Sequence, residues 1–92
     1  MGGKEHRRRF YIGGRCYSTE KSTLLCSYEG VFEAAALYVT PKGAFFAVEE
    51  SQFDGETVRV LSEATARSFM DEHAAGIITE NYDRVFGEPD EG

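Results

Sequence analysis

Histidines and cysteines are the residue types best suited to nucleophilic or acid–base chemistry, and the chain has two of each. A cysteine nucleophile needs a base within hydrogen-bond reach and a further group that orients that base. His6 lies in a basic N-terminal segment, and His73 falls near the end of a predicted helix, where the helix dipole favours a protonated imidazole. The spacing of Cys16 and Cys26 fits neither a zinc motif nor a redox motif. The sequence therefore predicts a protein that is not an enzyme, with two reduced, partly buried thiols and a cytoplasmic location.

Carboxylates are the second group with chemical potential. Glu49-Glu50 and Asp54-Gly55-Glu56 bracket a predicted loop, whose spacing is not that of a calcium-binding loop and which has no histidine nearby. We therefore expect no metal and no cofactor, and interpret these carboxylates as solvated surface. Acidic groups on a compact domain can also imitate a phosphate backbone and occupy a basic channel of another protein. The candidate partner-binding residues are Glu49, Glu50, Asp54, Glu56, Asp71 and Glu72.

The net charge of −6 is unevenly distributed along the chain. Residues 1–21 carry six basic and two acidic side chains, whereas the remainder carries four basic and 14 acidic ones. An arm containing Arg7, Arg8 and Arg9 could contact a phosphate backbone, but on an acidic protein such binding would be weak and sensitive to salt. We favour a solvated lead-in to the first strand. The expected organisation is a single domain over residues 1–92, with a flexible basic head (1–8) and an acidic tail (88–92).

Strand signals dominate the first two thirds of the chain. Two hairpins are predicted, one turning at Gly13-Gly14 and one at Pro41-Lys42-Gly43, the second between strands over 32–40 and 44–49. Further strands are predicted over 23–28 and 57–61, the latter at one side of the sheet, while residues 51–56 are expected to form a polar loop. The run Ala34-Ala35-Ala36 is compatible with a strand or with a helical turn.

Helix signals follow at the C-terminal end. Ser62 is a predicted N-cap, and an apolar stripe is formed by Ala66, Phe69, Met70, His73 and Ala74. Gly76 is expected to end this helix, and Thr79 to cap a second, shorter helix that ends at Gly87. Strands first and helices last predict an α+β fold, an antiparallel sheet of about four to five strands covered by one longer and one shorter C-terminal helix. No stretch approaches the ~20 apolar residues that a membrane span needs.

Four segments resemble a family of small proteins from phages and integrative elements of Gram-positive bacteria. They are residues 11–19 (Tyr-Ile-Gly-Gly-Arg-Cys-Tyr-Ser-Thr), 37–46 (Leu-Tyr-Val-Thr-Pro-Lys-Gly-Ala-Phe-Phe), 61–63 (Leu-Ser-Glu) and 82–88 (Tyr-Asp-Arg-Val-Phe-Gly-Glu). The family pattern has a Gly-Glu-Gly-Gly stretch and a longer loop after the middle hairpin, which residues 49–53 replace here. The resemblance therefore implies no function that depends on that loop.

Small proteins of mobile elements often act by binding host machinery. The resemblance implies an anti-CRISPR inhibitor in the cytoplasm of a bacterial host, docking on a Cas effector subunit and blocking DNA binding or nuclease recruitment. The alternative is a regulatory or accessory module of the element, acting on replication or transcription, with Arg7, Arg8 and Arg9 contacting nucleic acid. A third hypothesis is a homo-oligomer that forms through exposed strand edges.

Overall fold

Short antiparallel hairpins make up the first part of the fold and helices the last. The computed structural model describes residues 9–87, so the predicted head (1–8) and tail (88–92) lie outside it. Within the described residues there are six strands and two α-helices. Their bounds are β1 Arg9–Ile12, β2 Arg15–Ser18, β3 Thr23–Glu29, β4 Glu33–Val39, β5 Phe45–Ser51, β6 Gly55–Leu61, α1 Glu63–Glu72 and α2 Thr79–Phe86, with a short 3-10 turn at Ala74–Gly76.

The predicted α+β class is confirmed, with the strands divided between two sheets. β1 and β2 form a two-stranded hairpin, and β3 to β6 form a four-stranded antiparallel meander in chain order. Gly13 and Gly14 both have positive φ, 58° and 79°, as the predicted two-residue hairpin turn requires. The hairpin contacts the larger sheet through Tyr17, whose ring centroid lies 5.5 Å from that of the fully buried Phe46.

The larger sheet resolves two features that the sequence left open or misplaced. The run Ala34-Ala35-Ala36 is strand, because β4 is paired with β3 on one side and with β5 on the other. The predicted polar loop over 51–56 is wrong, since β5 continues to Ser51 and β6 begins at Gly55. Glu49, Glu50 and Glu56 therefore lie in strands, where alternate residues point to opposite faces.

One face of the larger sheet packs against α1 and α2 and forms the core around Leu25, Leu37 and Ala47. Ser62 caps α1 as predicted, with its Oγ accepting from the N–H of Thr65 at 3.1 Å. Of the predicted apolar stripe, Ala66, Phe69 and Met70 are buried, but Ala74 is exposed. It departs from the stripe because α1 ends at Glu72 and the chain then tightens into the 3-10 turn.

The N-cap predicted for α2 is wrong. Thr79 is the first helical residue and not the N-cap, which is Ile78 and makes no side-chain capping bond. The chain is fixed there by tertiary structure instead, since the Ile78 N–H donates to the carbonyl of Leu25 at 2.9 Å. Tyr82 and Phe86 pack against the core as expected, and Gly87 follows with a φ of 82°.

Across the described part of the chain, neither helix has the length and apolar character needed to cross a bilayer.

Candidate functional site

Three large apolar side chains are exposed together where the sheet turns at one end. Val31 and Phe32 belong to the β3–β4 turn and are 88% and 57% exposed, while Phe53 in the β5–β6 turn is 78% exposed. The rings of Phe32 and Phe53 lie 5.7 Å apart between centroids, inclined at 43°. We refer to Val31, Phe32 and Phe53 as the aromatic tip. Because burial drives folding, solvent-exposed phenyl groups of this kind mark candidate interaction surfaces.

The two turns that carry the aromatic tip are held by hydrogen bonds. Gly30 N–H donates to the carbonyl of Glu33 at 2.7 Å, closing the β3–β4 turn, and Gln52 N–H donates to the carbonyl of Phe32 at 2.9 Å, linking the two turns. Ser51 Oγ accepts from the N–H groups of Phe53 and Asp54 at 3.1 and 3.3 Å. The backbone beneath the exposed rings is thus fixed by local bonds, which leaves little conformational entropy to lose on binding.

Carboxylates surround the aromatic tip, and we refer to Glu29, Glu33, Glu50 and Asp54 as the acidic rim. The first three share with Phe32 a shallow groove of about 290 Å³. Asp54 follows Phe53 directly in the β5–β6 turn. The two segments that form this end of the sheet, 29–35 and 49–57, contain six carboxylates and no lysine or arginine. The rim therefore gives the end of the sheet a negative potential.

Two glutamates of this region lie directly opposite each other on neighbouring strands. Glu50 of β5 pairs with Glu56 of β6, and Ala34 and then Glu29 continue the same row across the sheet. Like charges at opposed positions destabilise a sheet. The same face continues from this row as a groove of about 380 Å³, whose floor includes Ala36 and Val48.

The other predicted partner-binding carboxylates are placed differently. Glu49 lies on the helix-covered face, where Arg59 donates to both of its carboxylate oxygens at 2.9 and 3.2 Å. Glu72, at the end of α1, lines a cleft of about 340 Å³ with Glu49, Glu50 and Asp54. Asp71 is separate, in a surface pocket between α1 and α2. The predicted set is therefore split, with Glu50, Asp54 and Glu56 nearest the aromatic tip.

The predicted nucleic-acid arm is only partly described. Arg9 is exposed at the start of β1, where it pairs with Ser18 across the hairpin. Arg7 and Arg8 lie outside the described residues.

Cys26 and His73 pack inside the fold, whereas Cys16 lies on its surface. Cys26 is fully buried, its Sγ lies 3.3 Å from the carbonyl oxygen of His73, and burial raises the pKa of its thiol. Cys16 is exposed, and both thiols are free. The His73 ring packs between Tyr28, with centroids 4.4 Å apart, and Phe69, at 4.8 Å. Among residues 9–87, no cluster of three or more His, Cys, Asp or Glu side chains is arranged to hold a metal ion.

Sequence reasoning missed the aromatic tip altogether. Phe32 was included in a predicted strand, and Phe53 was included in a loop described only as polar. The available signal was Phe53 itself, a large apolar residue beside Gln52, Asp54 and Gly55 in a turn, where polar side chains are the usual choice. Phe32 can be recognised as part of a turn only when β4 is known to begin at Glu33, one residue later than predicted.

Comparisons with protein-family models, with curated proteins and with solved structures found no match to this chain.

Proposed function

We propose that this protein is a non-enzymatic inhibitor that acts by docking on another protein. The observation that carries the proposal is the aromatic tip, in which exposed phenyl groups stand on two turns linked by the bond from Gln52 N–H to the carbonyl of Phe32. Aromatic anchors that enter a pocket on the partner supply most of the affinity at many interfaces. Anchors on a preorganised backbone bind more tightly, because less order has to be imposed when the complex forms.

The acidic rim defines the chemistry of the proposed partner. Glu29, Glu33, Glu50 and Asp54 surround the tip, so the pocket that accepts Phe32 and Phe53 is edged by lysine or arginine. Desolvated phenyl groups supply affinity in such a complex, while the carboxylates steer the encounter and exclude acidic proteins. Basic surfaces of this kind occur on proteins that bind nucleic acid, where an acidic protein would compete with the phosphate backbone.

The specific partner that we propose is a Cas effector subunit. This choice is supported by the resemblance of residues 11–19 and 37–46 to proteins of phages and integrative elements. Docking on the DNA-binding channel of the effector would block target binding, and docking beside it would block nuclease recruitment. The inhibitor would then act in the cytoplasm of the bacterial host.

Affinity capture from bacterial lysate that contains Cas effectors tests the proposal. The bait proteins are the full chain, the tip variant Phe32→Ser/Phe53→Ser, and the control Tyr11→Ser, which removes a ring that is 72% exposed on the β1–β2 hairpin. We expect a Cas subunit to be retained in stoichiometric amount by the full chain and the control but not by the tip variant. Each retained subunit is then purified and assayed for binding of its target DNA with and without the inhibitor.

Two results would contradict the proposal. One is retention of the same partner by the tip variant and the full chain, because the aromatic tip would then be irrelevant to docking. The other is retention of nucleic acid or replication proteins that is lost when residues 1–9 are deleted. That result would favour the regulatory module with a nucleic-acid-binding arm.

A further inference from the structure

The acidic rim contains a gap between two carboxylates beside the aromatic tip. Ala34 of β4 pairs with Glu29 of β3 on one side and with Glu50 of β5 on the other. Directly opposed residues point to the same face, and their Cα atoms lie about 5 Å apart. The Cα atoms of Glu29 and Glu50 are therefore about 10 Å apart, with only the methyl group of Ala34 between the two side chains. Ala34 and Phe32 both line the shallow groove of about 290 Å³ at this end of the sheet.

The carboxylates of this groove are not neutralised by the basic side chains that the structure describes. No ion pair within residues 9–87 engages Glu29, Glu33 or Glu50. Three carboxylates around one groove repel one another. A cation that enters the groove is therefore stabilised by direct attraction and also relieves this repulsion.

We infer that the groove receives an arginine side chain of the docked partner. A guanidinium group is planar and carries five N–H donors in a fixed fork. Above Ala34 it can donate to Glu29 on one side and to Glu50 on the other, while its flat face lies against the exposed ring of Phe32. The inference rests on the proposed function, because it names the side chain of the partner that the acidic rim contacts.

Lysine is less well suited to the same groove. Its ammonium group is a compact, strongly hydrated charge without a planar face, whereas guanidinium is more weakly hydrated and stacks on aromatic rings. In a groove that is shallow and edged by Phe32, the lysine ammonium gains less from the ring and loses more of its water. The geometry therefore predicts selectivity for arginine over lysine, which negative charge alone would not produce.

Two short peptides test the inference without the partner protein. Acetyl-Gly-Arg-Gly-amide and acetyl-Gly-Lys-Gly-amide are titrated into the isotope-labelled full chain, and the shifts of its amide resonances give the Kd of each peptide. We expect the arginine peptide to bind at least about threefold more tightly, with the largest shifts at residues 29–34 and 49–52. Phe32→Leu keeps an apolar side chain but removes the ring, so it should abolish the preference for arginine.

Three further variants separate the groove from the general negative charge of this region. Ala34→Leu fills the gap between Glu29 and Glu50 without changing any charge, and it should weaken binding of the arginine peptide about tenfold. Ala36→Leu is the matched control, because it makes the same change two residues along the same face of β4 and should leave the Kd unchanged. Glu50→Gln removes one carboxylate without adding bulk and should weaken the arginine peptide about threefold. Dispersion of the amide resonances checks that each variant is folded.

Equal Kd values for the two peptides would overturn the inference, and so would the absence of detectable binding by either one. An arginine peptide that binds folded Ala34→Leu or Glu50→Gln as tightly as the wild-type chain would overturn it as well. The test is separate from that of docking on a Cas subunit. Selectivity for arginine can fail while capture through the aromatic tip succeeds, and capture can fail while the arginine peptide binds.

Discussion

The rings of Phe32 and Phe53 meet at the end of the sheet, and a hydrogen bond from Gln52 N–H to the carbonyl of Phe32 joins the turns that carry them. This bond fixes the backbone of the aromatic tip without burying its side chains. Core packing comes from other aromatic residues, above all Phe46, which is fully buried between the two sheets. The proposed docking surface and the core thus use different phenylalanines, so mutation can separate them.

Substitution of the tip should therefore leave the fold stable. We expect Phe32→Ser and Phe53→Ser each to lower the free energy of unfolding by less than about 1 kcal/mol, because little apolar surface is lost from the interior. Phe46→Ala should lower it by about 3–5 kcal/mol. Urea denaturation followed by far-UV circular dichroism measures all three. A loss from either tip variant comparable with that of Phe46→Ala would place the ring in the core.

Local signals account for the parts of the fold that the sequence predicts well. The turn at Gly13-Gly14 depends on backbone freedom at two adjacent residues, and the start of α1 depends on the hydroxyl of Ser62. The spacing of Ala66, Phe69 and Met70 places them on one side of the helix regardless of what covers it. Each of these features is decided within a few residues, so it can be read from the chain.

The features that were missed depend on distant partners. The placement of the β1–β2 hairpin against the larger sheet involves the contact of Tyr17 with Phe46, which is distant in the sequence. The different surroundings of Glu49 and Glu50 follow from strand β5 extending to Ser51, which periodicity did not reveal. The candidate site was accordingly predicted only in part. The carboxylates of the site can be recognised from the composition of the sequence. The aromatic tip cannot, because its exposure depends on where two strands end.

Glu49 and Glu50 are neighbours in β5 whose removal should have opposite effects on stability. Glu50→Gln relieves the repulsion from Glu56 on the adjacent strand and should raise the free energy of unfolding by about 0.5 kcal/mol. Glu49→Gln weakens the paired hydrogen bonds that Arg59 donates to Glu49 on the helix-covered face. It should lower the free energy of unfolding by about 0.5 kcal/mol. Thermal unfolding at low ionic strength measures both changes.

Ionic strength provides the control for the substitutions Glu49→Gln and Glu50→Gln. Both differences should shrink at high ionic strength, because exposed charges are then screened. If Glu50→Gln destabilises the protein as much as Glu49→Gln does, the row of carboxylates carries no repulsion.

The two cysteines should differ in reactivity. In the native protein, a thiol reagent is expected to modify the exposed Cys16 rapidly and Cys26 only after unfolding, because Cys26 is fully buried and its thiol is kept protonated. Mass spectrometry of the modified chain, with and without denaturant, identifies the site. Rapid modification of Cys26 in the folded state would contradict its placement under His73.

The raised pKa of Cys26 also predicts a dependence of stability on alkaline pH. Its folded pKa lies above the unfolded value of about 8.5, so its contribution to stability is fully present below that pH and is lost as pH rises toward the folded pKa. The stability of the wild-type chain relative to Cys26→Ala should therefore fall as the pH is raised above that value. If the free energies of unfolding of the two proteins change in parallel with pH, Cys26 does not contribute to the pH dependence of stability.

Gly76 was expected to terminate a helix, but the structure gives it a different role. A methyl group at this position would overlap the carbonyl oxygen of Ser27 in β3, so the residue must lack a Cβ for the 3-10 turn to lie against that strand. Gly76→Ala is expected to push the following residues away from β3 and to lower the free energy of unfolding by about 3 kcal/mol. The bond from Ile78 N–H to the carbonyl of Leu25 should be weakened with it.

Amide hydrogen exchange distinguishes this local displacement from a general loss of stability. With Gly76→Ala, the amide of Ile78 should lose protection before amides in the β4–β5 pair do, because its hydrogen bond lies on the displaced edge. Ala75→Ser changes an exposed residue in the same turn and should alter stability by no more than about 0.5 kcal/mol. An unchanged free energy of unfolding for Gly76→Ala would show that the turn does not lie against Ser27.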